Sequence, residues 1–160
     1  MSIAGYIAIA GVILSSYALY VEYRHEQESG LDVEPFVALC DIEQIGASCS
    51  AVFALPEGKL LSYFHIVPHG HIFDVPNAAL GVLYYLLTAI YEFILVKWKI
   101  PFPFEIIQIA SVFAMASSVY LAIILTKLRE LCILCWTTHV LNAILIITFF
   151  ARTKSKTKTD

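Results

Sequence analysis

Two cysteine pairs are the residues of this chain with the clearest capacity for chemistry. Cys132 and Cys135 enclose the dipeptide Ile-Leu, whereas Cys40 and Cys49 enclose a polar stretch that contains glycine and serine. At a spacing of three, two sulfurs lie on one face of a helix and are close enough to form a disulfide. If a helix begins here, its free N–H groups and its dipole favour a thiolate. The chain therefore has the parts for thiol–disulfide exchange, in which electrons pass between pairs through mixed disulfides.

Each pair also has a purely structural interpretation. Cys132 and Cys135 fit two buried thiols of an apolar helix, a common environment for free cysteine, and Cys40 and Cys49 fit a disulfide that only ties down a loop. A zinc ion shared by all four sulfurs is disfavoured, because the closed tetrahedral shell would lie half inside a bilayer. No metal site is expected. His65, His69 and His71 cluster in the same loop as Cys40 and Cys49. A metal site is one interpretation of this cluster, but we expect solvated loop histidines.

Hydropathy places these cysteines at the edge of a membrane. The 160 residues are 59% apolar or aromatic and only 14% charged, whereas soluble domains carry about 25% charged residues. A helix needs roughly 20 apolar residues to cross the hydrocarbon. Four stretches meet or approach that length, at about 2–21, 75–96, 106–126 and 131–151. Because the length allows one domain, we expect an all-α integral membrane protein, a four-transmembrane-helix bundle.

The predicted spans leave a long loop at 22–74 and a basic tail at 152–160. Basic residues favour the cytoplasm, and six of the ten fall on the side of the N-terminus, the second connection and the tail: Lys97, Lys99, Arg152, Lys154, Lys156 and Lys158. We therefore expect both termini in the cytoplasm and the long loop on the lumenal or extracellular side, where disulfides persist. All four cysteines then lie on that side. The first stretch is also compatible with a signal peptide, although it lacks a basic n-region, and cleavage would leave the sidedness unchanged.

The net charge of −3, with no basic stripe, gives no indication of nucleic-acid binding. The lipid bilayer is the partner that the composition indicates. The C-terminal residues Lys156-Thr-Lys158-Thr-Asp160 fit a K-x-K-x-x retrieval signal, which predicts the endoplasmic reticulum membrane if the tail is cytoplasmic.

Several motifs, in the same order, resemble those of the vitamin K epoxide reductase family. Residues 39–41 (Leu-Cys-Asp) and 48–53 (Ser-Cys-Ser-Ala-Val-Phe) are similar to its outer cysteine pair. Residues 118–122 (Ser-Val-Tyr-Leu-Ala) are similar to its third helix, and residues 132–139 (Cys-Ile-Leu-Cys-Trp-Thr-Thr-His), followed by Asn142, to its catalytic segment. The resemblance covers nearly the whole chain and includes the four-helix layout.

The resemblance implies an enzyme that reduces vitamin K epoxide to the quinone, and the quinone to the hydroquinone, with no tightly bound cofactor. Cys135 would attack the bound naphthoquinone, and Cys132 would resolve the adduct as a Cys132–Cys135 disulfide. Cys49 would then attack Cys132, and Cys40 would resolve Cys49. A lumenal thioredoxin-like protein would reduce this outer pair.

The resemblance also implies a substrate pocket formed by Asn77, His139, Phe53, Leu80, Tyr84 and Leu121. Asn77 would bond a quinone carbonyl, although the residues alone fit a helix N-cap after Pro76 equally well. His139 stands where vertebrate enzymes have a tyrosine that bonds the second carbonyl, and this difference bears on coumarin-type inhibitors. For the apolar members, ordinary helix packing is the alternative.

Two other functions use the same residues. In the first, the relay runs in the opposite direction, and a quinone-linked thiol oxidase supports disulfide formation in other proteins. In the second, the chain is a non-enzymatic membrane protein with two structural disulfides.

Overall fold

Four long helices and one short helix form the regular structure of the residues that the computed structural model describes, 2–28, 37–42, 46–49, 52, 58–129 and 131–157. They are α1 (Ile3–Glu28), α2 (Leu60–Tyr63), α3 (Asn77–Ile90), α4 (Phe104–Leu128) and α5 (Ile133–Thr157). A π-helical turn, Tyr91–Leu95, prolongs α3. These residues also contain two isolated β-bridges, but no strand.

The long helices are the membrane-spanning elements. The segments Ile3–Gln27, Asn77–Leu95, Phe104–Leu128 and Ile133–Thr153 each combine the length and apolar composition that a span requires. Large apolar side chains are exposed on the outer faces, and Ile13 and Ile147 are 63% and 67% exposed. A large apolar surface is unfavourable in water. These outer faces are therefore suited to contact lipid chains. The predicted all-α membrane bundle is confirmed.

The first helix is longer than the predicted span of 2–21. It continues to Glu28, since residues 22–28 contain no glycine or proline to interrupt it. Val21 and Glu22 are still buried, at 0% and 4% exposure, so this part of α1 packs inside the protein. The long connection predicted to begin at residue 22 therefore begins after Glu28.

Small residues let α1 approach its neighbours closely. α1 packs against α3 and α5, and α4 packs against α5. A Cβ atom at Gly11 would collide with the ring of Tyr85, a side chain that is only 1% exposed. Close packing at small residues is a main source of helix association in membranes. Gly11 is thus the position on α1 that accommodates the tyrosine of α3.

An ion pair joins the chain ends at one side of the bundle. Arg152 Nη1 donates to Glu92 Oε1 at 2.6 Å, and Arg152 Nη2 donates to Ser2 Oγ at 3.0 Å. The guanidinium also lies 5.7 Å and 5.8 Å from the ring centroids of Phe104 and Phe149. The Glu92 side chain is 1% exposed, and a carboxylate this deep is stable only with such a partner. This end of α5 lies roughly 26 Å from its cysteine end, at 1.5 Å per residue.

Candidate active site

The four cysteine sulfurs form one continuous chain at the other end of the bundle. Cys40 and Cys49 are joined by a disulfide. The Sγ of Cys49 lies 3.5 Å from the Sγ of Cys132, which in turn lies 2.7 Å from the Sγ of Cys135. Cys49 and Cys132 are both 0% exposed. Two pairs that are 83 residues apart in sequence at their nearest members are therefore within exchange distance of each other.

A tight connection sets the position of the inner pair. α4 ends at Leu128, and Arg129 adopts a left-handed conformation with φ of 57°, which reverses the chain before α5. The carbonyl of Leu131 accepts a hydrogen bond from Ser48 N at 2.9 Å, so the outer-pair segment is attached directly beside Cys132. These two features explain why Cys49 faces Cys132 rather than solvent.

Cys132 caps the start of α5. Its Sγ accepts the backbone N–H of Cys135 at 3.3 Å, and its carbonyl accepts the N–H of Trp136 at 3.0 Å. The Cys135 thiol, donating to Cys132, holds the pKa of the Cys132 thiol below its ordinary value; burial opposes this shift, and backbone N–H groups reinforce it. The helix start that the C-x-x-C pattern indicates is present, and the lowered pKa belongs to the sulfur nearest the outer pair.

Asp41 positions the outer pair, and the sequence patterns had assigned it no role. Its Oδ1 accepts the N–H of Cys49 at 2.6 Å and its Oδ2 accepts the N–H of Ala38 at 3.0 Å. An antiparallel bridge between Ile42 and Ala47 closes the same loop. Its position directly after Cys40 could have indicated this role, because aspartate side chains commonly accept hydrogen bonds from nearby backbone N–H groups in turns.

The polar ligands around this pair do not make an obvious metal centre. Ligand atoms of Cys40, Asp41 and Cys49 lie within 4.8 Å of one another, but the two sulfurs are bonded to each other in the disulfide. Because cysteine binds metals as a thiolate, neither sulfur is available as a ligand in this state. The three loop histidines are exposed and lie outside this group: His65, His69 and His71.

An apolar cavity of about 750 Å³ begins beside Cys135 and extends between the helices. Its lining extends from Asn77 at the start of α3 to Tyr91 and Phe102 beyond the end of that helix. Five of the six predicted pocket residues line it: Asn77, Leu80, Tyr84, Leu121 and His139. The sixth, Phe53, lies outside the described residues. The cavity is in the size range of small-molecule sites.

Asn77 and His139, the two polar residues predicted to bind the substrate, differ in their hydrogen bonds. Asn77 does not cap its own helix: Pro76 is at the cap position, without a side-chain cap bond. The Asn77 Oδ1 instead accepts the N–H of Leu60 at 3.0 Å, which fixes the amide between α3 and α2. Both ring nitrogens of His139 are buried without a hydrogen-bond partner among the described residues. A ligand oxygen would satisfy one of them.

Other hydroxyl and amide groups along the cavity bond to one another. Tyr85 Oη donates to Asn142 Oδ1 at 2.7 Å, and Asn142 Nδ2 donates to Ser118 Oγ at 2.7 Å. Tyr84 Oη donates to Ser111 Oγ at 3.0 Å. These bonds connect α3, α4 and α5 around the cavity and fix its width. In the sequence, Asn142 and Ser118 stood out only as parts of motifs.

Comparisons with known proteins agree with this arrangement. A model of the vitamin K epoxide reductase family matches residues 2–150. The chain is 30% identical over 155 residues to vitamin K epoxide reductase complex subunit 1 of Mus musculus, covering 95% of this chain and 90% of that protein. The same subunit of Rattus norvegicus is 28% identical over 148 residues, covering 91% of this chain and 86% of that protein.

Proposed function

Because the chain belongs to the vitamin K epoxide reductase family and is an oxidoreductase of the membrane, we propose that it reduces vitamin K epoxide and vitamin K quinone with its Cys132–Cys135 dithiol. One observation carries the proposal. An uninterrupted chain of sulfurs ends at Cys135, and Cys135 lines an apolar cavity within the bundle. An apolar quinone that is dissolved in the bilayer and a reductant in water can thus act on the same protein from different sides.

The proposed reaction transfers two electrons in two steps. Cys135 Sγ forms a bond to a ring carbon of the substrate, and the displaced electron pair moves to a substrate oxygen. Cys132 Sγ then attacks Cys135 Sγ, so that an S–S bond forms and the C–S pair returns to the ring. A quinone leaves as hydroquinone with both thiol hydrogens. An epoxide leaves as quinone, and its oxygen departs as water with those hydrogens.

The 3.5 Å gap between Cys49 and Cys132 supports the return path. In this path the reduced Cys49 attacks Cys132 of the inner disulfide, and Cys40 then displaces Cys132 by bonding to Cys49. The products are a reduced inner pair and the Cys40–Cys49 disulfide, which the structure contains. Each exchange replaces one S–S bond by another, so electrons are conserved.

We propose a thioredoxin-like lumenal protein as the electron donor to Cys40. Val37 and Leu39 are 71% and 88% exposed beside this cysteine, and they offer an apolar contact for a partner surface. Tyr17 Oη accepts the N–H of Leu39 at 3.0 Å, so α1 supports the segment from behind. Cys40 itself is 7% exposed, and a partner must therefore dock closely before exchange begins.

We propose a naphthoquinone as the substrate and no tightly bound cofactor; the size and the apolar walls of the cavity support the first of these. Its walls are mostly apolar, and Asn77 and His139 would donate to the two ring carbonyls. His139 is the residue that would also decide how coumarin-type inhibitors bind, because they would compete for the same donor. Leu80, Tyr84 and Leu121 would contact the ring faces or the tail.

We propose the endoplasmic reticulum membrane as the location, with both termini cytoplasmic and the cysteines lumenal. The basic residues of the tail support this orientation. The Cys40–Cys49 disulfide fits a position in an oxidising lumen, where disulfides persist. The retrieval motif at 156–160 ends beyond the described residues.

The test is epoxide turnover by the purified protein in detergent, with dithiothreitol as reductant. Wild type should convert epoxide, Cys135→Ala should not, and Cys40→Ser should remain active because a small dithiol reduces the inner pair directly. Activity of Cys135→Ala would refute the mechanism. Reduction of quinone without epoxide would favour the thiol oxidase function, and inactivity of folded wild type would favour a structural role for the cysteines.

A further inference from the structure

A buried acidic residue of α1 faces the cavity beside the reactive thiol. Glu22 is 4% exposed and lines the same cavity as Cys135 and Asn77. Ser15 and Ala18 also line it, and the spacing of 15, 18 and 22 places all three on one face of the helix. A carboxyl group on an apolar wall is costly to bury. Burial of this kind next to a reacting group is typical of functional carboxyls.

The surroundings of Glu22 connect the thiol to water. On the inner side, Glu22 lines the cavity that Cys135 also lines, and its neighbour Val21 belongs to the apolar cluster against which Cys135 packs. On the outer side, Glu26 lies about one turn further along α1 and forms a partly exposed ion pair with Lys59, with 2.8 Å between Lys59 Nζ and Glu26 Oε1. The Lys59 ammonium group therefore donates its hydrogen bond to the Glu26 carboxylate. Along α1, Glu22 therefore lies between that partly exposed pair and the wall of the cavity that Cys135 also lines.

We propose that Glu22 is the proton-transfer residue of the site, taking the proton of the Cys135 thiol and delivering it to the substrate oxygen. This inference rests on the proposed function. As Cys135 Sγ bonds to the ring carbon, its proton passes to the Glu22 carboxylate, and the oxygen that receives the displaced electron pair takes the proton from the carboxyl. The Cys132 thiol supplies the second proton when the S–S bond forms. The balance is one quinone and two thiols giving one hydroquinone and one disulfide.

Besides Glu22 and Cys135, the titratable side chains among the described residues that line the cavity are those of His139, Tyr84, Tyr85 and Tyr91. The place of His139, on the same helix as Cys135, argues for a different role. It lies one helical turn further into α5 than Cys135, and its ring nitrogens have no partner among the described residues. Its ring packs edge-on against Trp136 at 6.1 Å between centroids. Glu22 lies about one turn from the partly exposed Glu26–Lys59 pair and is therefore the better placed of the two for proton exchange with water, while His139 is suited to hold a carbonyl.

The experiment compares Glu22→Gln with Glu26→Gln in the purified full-length protein, with dithiothreitol and a short-chain naphthoquinone. Glu26→Gln is the matched control, because it makes the same change one turn along α1, outside the cavity lining, and also removes the contact with Lys59. We expect Glu22→Gln to lower kcat about a hundredfold, the usual size of a general acid–base contribution. KM should stay near the wild-type value. The limb of the kcat profile that falls toward low pH should disappear in Glu22→Gln and persist in Glu26→Gln.

Further measurements distinguish proton transfer by Glu22 from a loss of site structure and from proton transfer by His139. The Tm in detergent and the affinity of the oxidised protein for the naphthoquinone should be similar in wild type and Glu22→Gln, which shows an intact site. If Glu22→Gln does not fold, Glu22→Asp should retain the pH limb at a lower kcat. Wild-type kcat in Glu22→Gln, or disappearance of the limb only in His139→Gln, would overturn the proposal. Inactive wild type would instead contradict the proposed function itself.

Discussion

Replacing Asp41 by asparagine tests whether the outer pair must be held against the inner pair. Asp41 uses separate oxygens to accept the N–H of Cys49 at 2.6 Å and the N–H of Ala38 at 3.0 Å. Asparagine keeps one of these oxygens and replaces the other by NH2, which cannot accept. At least one backbone N–H therefore loses its acceptor, and the remaining bond loses the assistance of the charge.

The cost follows from these two bonds. A hydrogen bond to a charged group contributes about 1.5–3 kcal/mol, and solvent weakens the contribution here because Asp41 is only partly buried. A loss of about 1–2 kcal/mol corresponds to a five- to thirtyfold change in an equilibrium ratio. The equilibrium in question is between molecules in which Cys49 lies against Cys132 and molecules in which it does not. We expect electron transfer between the pairs to slow by about the same factor.

The assay compares two reductants on the same purified protein. Quinone reduction driven by a reduced thioredoxin-like protein must pass through both pairs, so Asp41→Asn should slow it. Reduction driven by dithiothreitol acts on the inner pair directly and should be nearly unchanged. Asp74→Asn is the matched control, because Asp74 also accepts a loop N–H, that of Gly70 at 3.0 Å. An equal loss with both reductants, or no loss with the protein donor, would refute the alignment role of Asp41.

Three other perturbations probe separate parts of the protein. His139→Phe should raise KM for the naphthoquinone about tenfold, the value of one hydrogen bond of 1–1.5 kcal/mol; an unchanged KM would remove His139 from the binding site. Arg152→Met leaves the Glu92 carboxylate buried without its cation and should cost about 3–5 kcal/mol of stability, seen as a lower Tm in detergent; an unaltered Tm would show that the pair is not stabilising. Because Cys135 lowers the pKa of Cys132 by hydrogen bonding, alkylation of Cys132 should stay fast at lower pH than for an ordinary thiol. Cys135→Ala should move that alkylation profile to higher pH, and an unshifted profile would exclude the hydrogen bond as the cause.

Much of the fold was predictable because its signals are local. A membrane span requires an uninterrupted apolar stretch of roughly fixed length, and the third and fourth predicted spans agree with the apolar segments Phe104–Leu128 and Ile133–Thr153 to within two residues at each end. The end of α1 was less predictable, because helix termination depends on what the next turn packs against. Glu22 suggested a water-exposed end in the sequence, whereas in the structure it is buried.

The candidate site was likewise predictable from the sequence only in part. Cys132 and Cys135 share a helix start that their spacing indicates, and a spacing of three is enough to bring their sulfurs together. Asn77 shows the limit of such reasoning. Its sequence position fits a helix cap, but its oxygen bonds to the N–H of Leu60, and only the return of the loop onto α3 provides that partner.

The sequence by itself determined the four apolar helices, the two cysteine pairs and the family, because hydropathy and motifs are properties of short segments. Tertiary structure decided which of these segments meet. It brought Cys49 to within 3.5 Å of Cys132, aligned Asp41 with the outer pair, and turned Glu22 toward the cavity. Each of these contacts joins residues on different elements or across a loop, so each depends on helix packing and on the path of the long connection, which no local pattern encodes.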